Sequence, residues 1–316
     1  MKLTATNLEM ASSCLVRGKV DEEGEFTVPA KLFFDYVSLL PSEQVDLEVT
    51  DKVLSVRCGS FATKMNGLPA SEFPLIPPVA EGATYKLPAE DLRGAIQEVL
   101  FAVASNEARP ELSGVCVRFH DAAVGTGKAV LAATDSYRLA ERVMDVSGSS
   151  EARSVIVPAR TLSEIGRIIS VSKDDVETSD QVELTVADNQ LVVRFGSIEL
   201  MSRTIDGRYP DYRQIIPTSF KTEAKVDTTA LTKAVKTASL FSRTGLFDVR
   251  LEFSAKDKSI TVKGADTARG ENVVTCPAEI TGVDNVVTVN YRYLLDGLSA
   301  CSSSEADVKL IDAMNT

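Results

Sequence analysis

Hydrophobic residues follow two rhythms along this chain. In short runs every second position is apolar: VDLEV (45–49), VELTV (182–186), LVVRF (191–195), SITVK (259–263) and VVTVN (286–290). A period of two with many β-branched side chains predicts strands. Asp51-Lys52, Asp188-Asn189 and Asp257-Lys258 separate neighbouring runs and predict hairpin turns. Elsewhere the apolar period lengthens to that of a helix. Residues 88–105 open on Pro88, carry Glu90 and Asp91 in the first turn, and place Leu92, Ile96, Val99, Leu100 and Val103 on one side. Residues 227–242 have Asp227 where an N-cap belongs, with Leu231, Ala234, Val235 and Ala238 on one face. Shorter helices are predicted over 29–40, 158–169 and 290–300. Helices alternating with short, hairpin-linked strands predict an α+β fold rich in antiparallel sheet.

The pattern recurs. LTATNLEM (3–10) is similar to LAATDSYRL (131–139) and more loosely to VKGADTARGE (262–271), so that Asn7, Asp135 and Asp266 correspond at spacings of 128 and 131. VPAKLFFDYVSLLP (28–41), VPARTLSEIGRII (157–169) and VNYRYLLDGL (289–298) align through Val28, Val157 and Val289, spaced by 129 and 132. Three domains of about 130 residues are expected, over 1–80, 81–221 and 222–316. The first and third repeats are shorter than the second. The expectation is a parent with 35 to 45 further residues before the first repeat and about 20 after the third.

Composition changes little in this picture. The chain of 316 residues is 44% hydrophobic and 25% charged, as globular proteins are. It has neither an apolar run long enough to span a membrane nor a signal peptide at MKLTATNLEM. Five cysteines, none in a C-x-x-C pair, predict reduced thiols in a cytosol. With His120 as the only histidine, no zinc site and no cofactor are expected.

A net charge of −11 argues on average against nucleic acid. The charge is unevenly spread, however. The predicted helices carry Lys31, Arg93, Arg160, Arg167, Lys233, Lys236 and Arg292 against Asp35, Glu90, Asp91, Glu98, Glu164 and Asp296, about +1, which leaves about −12 elsewhere. Phosphate attraction of that modest size suits a protein that slides on DNA without reading bases.

Catalytic signals are lacking. GTGKA (125–129) has Ala122 and Ala129 where a phosphate loop needs Gly and Ser or Thr, and is expected to be a hairpin turn. Asp174-Asp175 lies in a polar loop. A β-rich hydrolase would need convergent acid, base or nucleophile residues, and none cluster.

ATDSYRLAE (133–141), VIVPART (155–161), DGRYPDYRQIIP (206–217) and LPASEFP (68–74), in this order and at this repeat length, resemble the bacterial DNA polymerase III β subunit, the sliding clamp. The resemblance covers essentially the whole chain. It implies three repeats of the DNA-clamp (processivity) fold and a head-to-tail homodimeric ring, with helices lining the hole and antiparallel sheets outside. A clamp fragment unable to close a ring is the alternative. The implied partners are duplex DNA without sequence preference, and the replicative polymerase, clamp loader and repair proteins through a linear motif. The implied location is cytoplasmic, without a membrane partner.

The implied DNA contacts are Lys31, Asn106, Arg109, Arg160, Arg203 and Arg208. The implied peptide pocket comprises Leu112, Thr134, Ser136, Tyr137, Arg138, Leu139, Pro210, Ile215 and Met314. Here Tyr137 stands where the family often has His, and Gln214 where it often has Arg. The ring interface is implied at Phe61, Thr63 and Met65, facing Leu240 and Phe241. The family has no catalytic and no metal residues at these positions.

Overall fold

The computed structural model describes residues 1–78, 81–105, 109–172 and 179–312. Ala80, Asn106, Asp174, Asp175 and Met314 lie outside the described residues. In chain order the elements are β1 (Lys2–Thr6), β2 (Met10–Leu15), β3 (Phe26–Thr27), α1 (Ala30–Val37), β4 (Asp46–Thr50), β5 (Val53–Cys58), β6 (Phe61–Asn66) and β7 (Leu68–Pro69). Next come β8 (Ala83–Pro88), α2 (Ala89–Leu100), β9 (Gly114–Phe119), β10 (Lys128–Thr134), β11 (Leu139–Asp145), β12 (Ser147–Gly148), β13 (Arg153–Pro158), α3 (Ala159–Ser172), β14 (Gln181–Val186), β15 (Gln190–Phe195) and β16 (Ile198–Arg203). The last are β17 (Thr222–Asp227), α4 (Thr228–Ser239), β18 (Asp248–Ser254), β19 (Ser259–Asp266), β20 (Gly270–Gly282), β21 (Asn285–Asn290), α5 (Tyr291–Ala300) and β22 (Glu305–Leu310).

The order strand, helix, three strands occurs at β3–β6, β8–β11, β13–β16 and β17–β20, once in the first and third sequence repeats and twice in the second. The signature of the sequence repeat is the turn after the corresponding residues. Asn7 Oδ1 accepts from the N–H groups of Glu9 and Met10 at 3.0 and 2.9 Å. Asp135 does the same for Tyr137 and Arg138, and Asp266 for Ala268 and Arg269. In the first two repeats a preceding threonine adds a second clasp. Thr6 and Thr134 each donate a hydroxyl to the carbonyl four residues on and accept the N–H two residues on. The clasped residues Leu8 and Ser136 take φ of 75° and 78°, a left-handed backbone costly for non-glycine residues. Ala265 precedes Asp266, has no hydroxyl, and Thr267 is not left-handed.

The chain separates into two compact units. One comprises Met1–Ala89, Ser147–Ser149 and Arg167–Thr204. It holds a seven-stranded sheet, β1-β2-β16-β15-β14-β8-β12, in which β2 pairs antiparallel with β16 from Cys14↔Ile198 to Met10↔Ser202. It also holds the three-stranded sheet β4-β5-β6, with a small core of Leu54, Val56 and Met65. Helix α1 buries no residue, and Leu32, Phe34 and Leu39 are exposed.

The other unit comprises Glu90–Val146, Ser150–Gly166 and Ile205–Thr316. It contains the four-stranded sheet β11-β10-β9-β13 and the six-stranded sheet β21-β18-β19-β20-β17-β22. Asp227 caps α4 as the sequence predicts, accepting from the Ala230 N–H at 2.7 Å. Leu231, Ala234, Val235 and Ala238 face inward, each at most 1% exposed, over Val249, Leu251, Phe253, Ile260 and Val262. Gly264 lets β19 close on the end of α4: a Cβ there would lie 2.1 Å from the Ala238 carbonyl oxygen.

Two helices stop earlier than their apolar period. The helix expected over 88–105 ends at Leu100, and the one expected over 227–242 ends at Ser239. Each closes in a tight turn, Ala102 N–H to Val99 O and Phe241 N–H to Ala238 O, both 3.0 Å. All three expected hairpin turns are present, and 125–127 lie in the β9–β10 connection, with Lys128 and Ala129 opening β10.

Candidate functional site

The β10–β11 turn is the centre of the site. Thr134 ends β10, buried, and its N–H donates to the Tyr209 hydroxyl at 3.1 Å. The clasp at Asp135 then turns the chain so that Tyr137 projects into solvent, 82% exposed. Leu139 folds back, half-buried, against a cluster of Leu112, Cys116, Ala132, Ile156, Tyr209 and Tyr212. Pro210 follows Tyr209, and Ile215 ends the 3-10 turn Tyr212–Ile215, 74% exposed. Of the residues expected to form a pocket, the structure therefore gathers Leu112, Thr134, Leu139 and Pro210 on one apolar cluster and its rim. Tyr137 and Ile215 stand out as exposed apolar surface. Leu112, 1% exposed, supports the cluster from within.

The Arg138 guanidinium turns inward. Its Nε donates to Asp135 Oδ2 at 3.0 Å, Nη1 to Asp296 Oδ2 at 2.5 Å and Nη2 to the Phe101 carbonyl at 2.6 Å. Arg109, expected at DNA, donates to Ser136 Oγ at 3.2 Å and to Glu111 at 3.2 Å, so it braces the same turn.

A polar network under the 3-10 turn was not expected from the sequence. Tyr212 donates its hydroxyl to Glu141 on β11. Arg213 donates to Asp121 at 2.8 Å, and Arg118 pairs with the same carboxylate at 3.7 Å. The Arg118 guanidinium lies 5.0 Å from the centre of the Tyr212 ring. The hydrogen bond from Arg213 holds the Asp121 carboxyl below the usual carboxylate range. Burial pushes the Tyr209 and Tyr212 phenols up. The network fixes the loop that carries Pro210 and Ile215. Its one signal in the sequence is the pair of tyrosines in DGRYPDY, aromatic residues in an otherwise polar turn.

The other expected sites divide between the units. Lys31 is exposed and paired with Asp35 at 2.6 Å, and Arg203 is exposed in the same unit. Arg160 and Arg208 are exposed in the second unit with Arg109. There the surface of α4 and α5 carries a groove of about 720 Å³ lined by Lys233, Lys236, four threonines and Leu240. Strand β6 is a sheet edge with Phe61 exposed and Thr63 half-buried. Met65 points into the core, 3% exposed, so only its backbone is available to a partner. Leu240 is 66% exposed beside the half-buried Phe241.

All five cysteines are free. Among the described residues no group of acidic, His or Cys side chains has the arrangement of a metal site, and no helix is long and apolar enough to cross a membrane.

Comparison with known proteins accords with these features. Family models for the DNA polymerase III beta subunit match in order: the N-terminal domain at residues 1–77, the central domain at 86–211 and the C-terminal domain at 213–316. The beta sliding clamp of Synechococcus elongatus is 31% identical over 315 residues, covering 98% of this chain and 81% of the relative. That of Staphylococcus epidermidis is 27% identical, covering 99% and 82%. Among solved structures, the sliding clamp of Bacillus subtilis superposes with a TM-score of 0.89 at 27% identity, covering 99% of this chain and 83% of that one. The DNA polymerase III β subunit of Pseudomonas aeruginosa gives 0.88 at 25%, with the same coverage.

Proposed function

The chain belongs to the DNA polymerase III beta subunit family, the beta sliding clamps, and from that premise we infer how its residues divide the work of a tether. A DNA sliding clamp serves a replicative polymerase as a non-catalytic processivity factor. The observation that carries the reading is the threefold recurrence of one Asx turn, at Asn7, Asp135 and Asp266. We take the three domains to run 1–80, 81–221 and 222–316, with two copies joined head to tail as an accessory subunit of the polymerase in the cytoplasm.

In this reading Lys31, Asn106, Arg109, Arg160, Arg203 and Arg208 attract duplex phosphates through water-screened contacts. Such contacts carry no sequence information and let the protein slide. Phe61, Thr63 and the Met65 backbone meet Leu240 and Phe241 of the next copy, an edge strand against an exposed apolar corner. The exposed Tyr137 and Ile215 flank Leu139 and Pro210, an arrangement suited to the apolar anchors of a linear motif from polymerase, clamp loader or repair proteins, with Met314 as a further wall.

Topology provides the test. Loaded onto nicked circular DNA, the protein should co-elute with it in gel filtration and be lost when the circle is linearised. Equal retention on linear and circular DNA would refute encirclement. Direct binding to short duplex should fall steeply with salt and ignore sequence, and Arg160→Ala with Arg208→Ala should weaken it without unfolding the protein.

A further inference from the structure

We propose that Arg138 is a positioning residue that sets the peptide pocket by bolting α5 and the end of α2 to the β10–β11 turn, rather than a group that binds the peptide. The proposal rests on the pocket reading above. A guanidinium has three nitrogen atoms with which to donate. Here all three are committed, to Asp135 Oδ2, Asp296 Oδ2 and the Phe101 carbonyl. The group is also packed among rings, 4.6 Å from the centre of Tyr293 and 5.3 Å from that of Phe101. Its side chain is 19% exposed. Two of its five N–H groups remain, but these bonds and the flanking rings hold the head turned inward.

The partners come from three separate stretches of chain. Asp135 belongs to the clasped turn itself. Phe101 is the first residue past α2, 37 positions away, and Asp296 is on α5, 158 positions away. The backbone of Arg138 is equally fixed, its N–H on Asp135 Oδ1 and its carbonyl on the Thr134 hydroxyl. Its chain neighbours are Tyr137 and Leu139, both residues of the proposed pocket. A displacement of α5 must therefore pull on the guanidinium, and through a rigid turn on the pocket wall. The geometry makes Asp296 part of the pocket's specification although it is not part of the pocket.

Asp296 is the residue to change, because it is half-exposed and removing its charge leaves the turn's own bonds in place. Affinity for a fluorescein-labelled peptide carrying a replicative polymerase's clamp-binding segment is measured by anisotropy for the intact chain, Leu139→Asp, Asp296→Asn, Arg138→Ala and the Asp296→Asn/Arg138→Ala double variant. Leu139→Asp should abolish binding, which secures the pocket reading. Asp296→Asn should weaken binding roughly tenfold, the scale of one charge-assisted hydrogen bond. In the Arg138→Ala background the same change should add nothing. Unaltered affinity in Asp296→Asn, or additive losses in the double variant, would overturn the proposal while leaving the pocket intact. If the unaltered chain does not bind the peptide, the pocket reading fails, and hydrogen exchange across residues 291–300 decides the bolt. Exchange there should quicken equally in both single variants and no further in the double; unchanged exchange refutes it.

Discussion

Removing one hydroxyl group, in Tyr209→Phe, isolates the bond that ties the DGRYPDY loop to the β10–β11 turn. The Tyr209 ring is 8% exposed and its hydroxyl accepts the Thr134 N–H at 3.1 Å. Thr134 is itself buried, so the deleted oxygen leaves an amide with neither protein nor solvent to satisfy it. An orphaned buried donor costs about 1–3 kcal/mol. The phenyl ring remains and keeps its contacts with Leu112, Cys116 and Ile156, so little packing is lost. At about 2–4 °C per kcal/mol for a unit of this size, the melting temperature should fall by roughly 2–12 °C. Tyr209→Ala removes the ring as well and should cost about 3–5 kcal/mol. Denaturant titration gives the two losses, and hydrogen exchange at the Thr134 amide gives the mechanism: protected in the unaltered protein, fast in Tyr209→Phe. Stability unchanged in Tyr209→Phe with a still-protected amide would show that Thr134 has another acceptor. Losses equal in the two variants would show that the ring contributes nothing.

Three further outcomes follow from particular geometries. Leu8→Gly relieves a left-handed φ of 75° at an exposed side chain, at the price of a more flexible unfolded chain, and should raise stability by about 0.5 kcal/mol, read from the denaturant midpoint. Gly264→Ala drives a methyl group to within 2.1 Å of the Ala238 carbonyl oxygen, and should cost about 2–3 kcal/mol with loosened amide protection along α4. Asp121 has its folded pKa depressed by Arg213, so its stabilisation is complete above the ordinary value of about 3.9 and drains away as pH falls through the folded value. The stability gap between the unaltered protein and Asp121→Asn should accordingly be widest near neutral pH and narrow below about pH 4; a gap that widens in acid would contradict this pairing.

Local features were legible in the residues. Asp227 announces its helix because the first turn of a helix leaves N–H groups for a side-chain oxygen to accept, and the structure places that bond at Ala230. The correspondence of Asn7, Asp135 and Asp266 was visible because only Asn and Asp readily form that turn. What the residues did not reveal depends on partners distant in sequence. Helix α2 stops at Leu100 although the apolar period runs on to Val103; the Phe101 carbonyl instead takes a hydrogen bond from Arg138. Arg109 was expected at DNA and Arg138 in the peptide pocket, and the structure adds that one braces Ser136 and the other is enclosed by Tyr293 and Phe101. Tyr212 and Glu141 are 71 positions apart, and nothing in either neighbourhood announces the other.

The pairing of β2 with β16 has a consequence for how the protein is born. The β1–β2 hairpin leaves the ribosome long before β16, the strand that pairs with β2 and ends at Arg203. A two-stranded hairpin is barely stable alone in water. At about 5–20 residues per second, the hairpin waits roughly ten to forty seconds for the strand that completes it. Meanwhile β4, β5 and β6 can pair among themselves, since their ladder closes within 21 residues, from Asp46 to Asn66. Strands β1 and β2 are thus made before the β4–β6 sheet but find their place in a larger sheet after it. A cell making this protein has to shield that hairpin from other nascent chains for as long as the second repeat is still being translated.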